Sequence, residues 1–107
     1  MTNSIKDDTW VWVVVQDPGG AEQFLGQLDE ENKISFIPAF YQKEDAEQCF
    51  LQLQRQKGLK YEIQAIFFDE LSKDASKHEF MIFILNAEGE ILEKIKPWSR
   101  QVETKKD

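Results

Sequence analysis

The 107-residue sequence predicts an α/β (α+β) domain: a mixed sheet of about five to six strands with one long and one short helix, in the order ββ(β)αβαββ. Three observations predict it. Residues 9–16, TWVWVVVQ, are β-branched and aromatic almost throughout, the composition of a strand. Residues 35–57, SFIPAFYQKEDAEQCFLQLQRQK, begin as an apolar run ending at Phe40 and then change to a helical period, with Ala46, Cys49, Phe50 and Leu53 at i, i+3, i+4 and i+7. Residues 80–85, FMIFIL, form a continuous apolar run bounded by polar residues, as in a strand buried on both faces.

In chain order, residues 1–8 are polar and expected to fray. The strand 9–16 places Trp10, Trp12 and Val14 on one face and Val11, Val13 and Val15 on the other. Asp17-Pro18-Gly19-Gly20 is a strong turn signal. In residues 21–28 a helical stripe (Ala21, Phe24, Leu25, Leu28) competes with a strand. Short length, Gly26 and flanking turns favour a strand paired with 34–40 across the loop 29–33, DEENK. Pro38 inside the second of these predicts an edge position or a bulge.

The long helix is expected over 43–57, with Glu44 and Asp45 in its first turn, Arg55 and Lys57 in its last, and Gly58 as its stop. Its stripe buries Phe50, so truncation of Phe50 to alanine is expected to cost about 3–5 kcal/mol. Residues 61–68 alternate as a strand, and 69–77 form the short helix with Leu71 and Ala75 inward. A crossover from the strand ending at Phe40 to the one starting at Tyr61 is right-handed if those strands are parallel. Asn86 to Gly89 suits a type I turn with Gly89 in the left-handed position, closing a hairpin onto 90–96, which Pro97 ends. The tail 99–107 is polar and expected to be mobile. The whole is one domain, 1–107, with an ordered core of about 9–98.

A net charge of −7 opposes binding to nucleic-acid phosphate or an anionic membrane surface, both of which need a basic face. No apolar run approaches the roughly 20 residues of a membrane helix, and the first ten residues lack the apolar region of a signal peptide. One cysteine, Cys49, excludes an internal disulfide and any cysteine-rich metal site. The cytoplasm is the default location.

No catalytic constellation accompanies these elements. His78 is the only histidine, so a zinc site would need mostly carboxylate ligands, and its expected place is the C-terminal end of the short helix. Cys49 lies on the apolar stripe as a small hydrophobe. The 17–20 turn lacks both the spaced glycines of a dinucleotide site and the Gly-Lys-Ser/Thr ending of a P-loop. The carboxylates of 29–32 lack the ligand spacing of a calcium loop and read as a solvated hairpin tip. No cofactor and no metal are expected. The aromatic surplus stands out instead: Trp10, Trp12, Tyr41 and Trp98 form the candidate interaction surface, with Trp98 either a cap over the end of the sheet or, of the four, the best candidate for an exposed anchor.

The segment FIPAFYQKEDAEQC resembles the pattern of bacterial SseB-like proteins, an (I/V)P(V/A)F run with an acidic helix start and an amphipathic helix. The related fold of a chloroplast import component of the intermembrane space has a similar run. Residues 67–92, FFDELSKDASKHEFMIFILNAEGEIL, are similar to the second half of such domains. The resemblance implies a small α/β domain of interaction type and carries no catalytic residues onto this chain.

Two functional readings follow. The first is a non-enzymatic cytoplasmic module that binds another protein, basic in character or a second copy of itself, through an aromatic-rich face or an exposed strand. The chain is then a monomer or weak homo-oligomer. Incomplete cover of the 9–16 strand by the short helix would supply the contact face. The second is a small-ligand-binding or catalytic protein with a pocket beside the turn from Asp17 to Gly20.

Overall fold

The computed structural model describes residues 5–98 and is an α+β fold. The expected mobility of 99–107 and of the first four residues lies outside the described residues. β1 (Trp10–Gln16) is flanked by β2 (Gln23–Phe24) and β5 (Tyr61–Phe67), both antiparallel to it. A second sheet has the order β3-β4-β6-β7, from β3 (Gln27–Asp29), β4 (Ile34–Ala39), β6 (Met81–Leu85) and β7 (Ile91–Ile95). Among the described residues there are thus seven strands in two sheets, where one mixed sheet of about five to six was expected.

Among the described residues one bridge joins the sheets. The Trp12 amide donates to the Phe40 carbonyl at 2.8 Å, and the Phe40 amide donates to the Trp12 carbonyl at 2.9 Å. This bridge explains Pro38, which stands inside β4 with neighbours on both sides. Backbone groups point alternately to the two sides of a strand. Phe40 bonds β1, so the Pro38 nitrogen faces the same side. There β3 has already ended, its last partner being Phe36, and β1 begins only at Phe40. The missing N–H therefore leaves no partner unsatisfied, and neither an edge nor a bulge is needed.

The 21–28 stretch is extended, as favoured, but in two pieces. Val15 pairs with Phe24, and the Leu25 amide still reaches the Val14 carbonyl at 2.8 Å. After Gly26 the chain leaves β1 and pairs with β4, Leu28 opposite Ser35. A Cβ on Gly26 would stand 3.3 Å from the Phe80 ring, which favours glycine at this crossing.

The condition for a right-handed crossover, parallel strands on either side of the first helix, does not arise, because β4 and β5 belong to different sheets. β4 runs parallel to β6, whereas β5 returns antiparallel to β1. β6 is buried at every residue, as its apolar run predicts.

The helices divide the two faces of the sheet between them. α1 (Lys43–Phe50) is eight residues long and α2 (Phe68–Lys77) is ten, so the expected lengths are reversed. α1 ends early because the Gln27 side chain captures the following segment. Its amide nitrogen donates to the Gln54 carbonyl at 2.9 Å, and its oxygen accepts from the Gln54 amide at 3.0 Å. Those two bonds satisfy the groups that another helical turn would have used. Gly58, at φ 87°, turns the chain within the loop that follows instead of capping the helix.

α2 seats Phe68, Leu71 and Ala75 on Val11, Val13, Val15, Ile37, Ile82 and Ile84. The expectation that this helix covers its face of β1 incompletely is thus overturned, since all three valines are buried. Ile5 packs against the same cluster, and the Asp69 amide donates to the Asp7 carbonyl at 3.0 Å, so residues 5–8 are held in place. α1 covers the opposite face with Ala46 and Cys49, over Phe40, Met81, Phe83 and Leu85.

Candidate interaction surface

α1 begins with Lys43, whose ammonium lies 5.7 Å from the Trp12 ring centre, and ends with Phe50, whose ring is 5.9 Å from that of Tyr61. Tyr61 pairs with Gln16 at the far end of β1. The helix therefore spans the sheet from Trp12 to Gln16, and the Trp10–Phe67 pair lies one step beyond its start. These two rings stack at 4.0 Å, with Trp10 54% and Phe67 37% exposed. The incompletely covered apolar area of β1 is here, on the α1 face.

Beside this pair runs the free edge of β5. The Phe68 amide donates to the Thr9 carbonyl, and the Asp17 amide to the Lys60 carbonyl, each at 2.8 Å. Alternation then fixes the backbone groups between them. Glu62, Gln64 and Ile66 face β1, and Tyr61, Ile63, Ala65 and Phe67 aim theirs at the open side. Among the described residues no strand pairs with that side.

The other edges are blunted. β2 and β3 have two and three residues. β7 carries Glu93 and Lys94, and its pairing with β6 is interrupted by a register shift. β5 has seven residues, an unbroken ladder and one charge, Glu62. Proteins commonly protect exposed edges by shortness, charge or bulges, and β5 has little of these.

The four aromatic residues of the sequence reading occupy different settings. Trp10 is in the stacked pair. Trp12 is half-buried against the α1 cluster. The Tyr41 hydroxyl donates to Glu93 Oε1 at 2.9 Å. Burial first, then that hydrogen bond and the nearby charge, push its pKa up to about 12. Trp98 is 38% exposed and lines a cavity with Ser76 and Glu79. What sequence reading missed is Phe67 and the outward backbone of β5. The apolar alternation of 61–68 was visible, but edge and centre look alike until strand order is known.

At the 17–20 turn the Asp17 carboxylate is engaged locally, Oδ2 accepting from the Ala21 amide at 3.0 Å, while Glu22 accepts from the Gly19 amide at 2.7 Å. The larger cavity, about 540 Å³, lies elsewhere, between the 29–32 loop, the end of α1 and β7. Its walls include Phe36, Phe83, Leu85 and Ile91, and its rim carries Asp29, Glu30 and Glu31. Asn32 donates to the Asp29 carboxylate at 3.0 Å, and this bond leads in holding its pKa below the usual value. The loop is thus a solvated tip bonded to itself, as expected.

His78 caps the C-terminus of α2, with its amide on the Asp74 carbonyl at 3.2 Å. No group of three His, Cys, Asp or Glu side chains among the described residues is placed to hold a metal ion. No helix among them is long and apolar enough to cross a membrane.

Cys49 is 1% exposed, and burial pushes its thiol pKa up, disfavouring the thiolate that would be nucleophilic. Native protein is therefore expected to react slowly with a thiol reagent and denatured protein rapidly. Fast labelling without denaturant would overturn the buried assignment.

Comparison with known proteins brings no match: no family model, no curated protein and no solved structure corresponds to this chain. The SseB-like resemblance therefore rests on the quoted segments alone.

Proposed function

We propose that this chain is a non-enzymatic, cytoplasmic protein-interaction module that accepts an extended segment of a partner along β5, beside the Trp10–Phe67 pair. The observation that carries the reading is the seven-residue edge whose alternate backbone groups face outward next to two exposed stacked rings. Strand addition draws affinity from main-chain hydrogen bonds and specificity from neighbouring side chains. The open edge supplies the first and Trp10 and Phe67 the second. A net charge of −7 steers basic segments toward the domain. A lone cysteine, buried and unpaired, suits a cytoplasmic setting.

The test is a peptide-display selection on the folded domain, followed by amide-exchange mapping. Selected peptides should be extended, carry Lys or Arg, and slow exchange at Tyr61, Ile63, Ala65 and Phe67. They should lose binding to Ala65→Pro. Peptides that protect none of these amides and bind Ala65→Pro unchanged would overturn the reading.

A further inference from the structure

Resting on that reading of the edge, we propose that β5 of a second copy of this chain can occupy it, antiparallel about a two-fold axis through Gln64. The strand is self-complementary in this register. Its outward residues pair completely, Tyr61 with the partner's Phe67 and Ile63 with the partner's Ala65, giving about eight backbone hydrogen bonds. The three-stranded sheet β2-β1-β5 then continues into that of the second copy.

Side chains match in the same register. The Phe50–Tyr61 pair of one copy meets the Trp10–Phe67 pair of the other, joining two existing aromatic pairs into one row on the α1 face. On the opposite face Glu62 lies across from the partner's Ile66, and Gln64 from its own copy. Sliding the axis to residue 62 would set the two Glu62 carboxylates opposite each other, and like charges directly opposed are unfavourable. It would also leave Phe67 unpaired. Sliding it to residue 66 abandons Tyr61 and Ile63. The 61-to-67 register is the one that uses every outward group and opposes no charges.

The contact is small and joins two chains of net charge −7, so association is weak and strengthens as salt screens the repulsion. Sedimentation across protein and salt concentration should show monomer at the low ends and apparent mass rising toward twice the monomer value at the high ends. Ala65→Pro should weaken association by at least about tenfold, since proline ring atoms replace a central outward N–H.

Register is read by cysteine substitution. Gln64 faces itself across a pair without direct hydrogen bonds, where Cα atoms stand about 4.5 Å apart. That lies within the disulfide range of roughly 4.4–6.8 Å. Under a mild oxidant Gln64→Cys should form a covalent dimer and Glu62→Cys should not, with the parent chain and its buried Cys49 as the blank.

Monomer under every condition, dimer undiminished in Ala65→Pro, or preferential cross-linking of Glu62→Cys would each overturn the second copy as occupant. The broader reading fails separately, if selected peptides ignore the β5 amides.

Discussion

Phe83→Ala is expected to lower the unfolding free energy by about 3–5 kcal/mol, and Phe50→Ala by distinctly less. Phe83 is fully buried in the middle of β6, its ring 4.2 Å from that of Phe36, with the Lys94 ammonium 5.4 Å away on β7. Removing the ring leaves a cavity between strands pinned on both sides, so the surroundings cannot close over it. Phe50 is only half-buried. It is the last residue of α1, lying between Tyr61 and the Arg55 guanidinium, 4.4 Å from its ring centre. Both neighbours can shift to fill the space, and part of the ring is already solvated. The full cost assigned to Phe50 from its helical stripe is thus corrected downward. Chemical denaturation of both variants at unchanged m-value is the measurement. Equal losses would show that α1 continues past Phe50 and seats it in the core.

What could be read from the sequence followed a division between local and long-range effects. Apolar period alone identified β1, β6, α2 and the start of α1, because each of those patterns is set within a few residues. The end of α1 was not legible, because residues 51–57 keep helix-forming composition and are drawn off by the distant Gln27. Pro38 was misread for a related reason. A proline in a strand forbids a partner on one side, and that side happens to be a gap between β3 and β1. Trp10 was identified as a candidate contact residue because aromatic surplus is a compositional signal. Its companion Phe67 was not, since which residue of 61–68 stands opposite Trp10 depends on the pairing of β1 with β5.

The edge itself yields the sharpest expected contrast, between prolines at adjacent positions of β5. Gln64 pairs with Val13 and points its N–H toward β1, where Val13 is fully buried. Gln64→Pro removes that donor, strands a buried carbonyl, and pushes ring carbons toward it. The expected loss is roughly 3 kcal/mol or more. Ala65 stands one residue further on, exposed, with its N–H on the open side. Proline is tolerated on edge strands where the missing N–H faces solvent, so Ala65→Pro should cost about 1 kcal/mol or less. Urea midpoints of the two variants measure the difference, with circular dichroism confirming that Ala65→Pro keeps the parent spectrum. The opposite order would invert the hydrogen-bond phase of β5 and remove the outward-facing groups that the interaction surface requires. Similar large losses at both positions would mean that the outer edge is already paired within the chain.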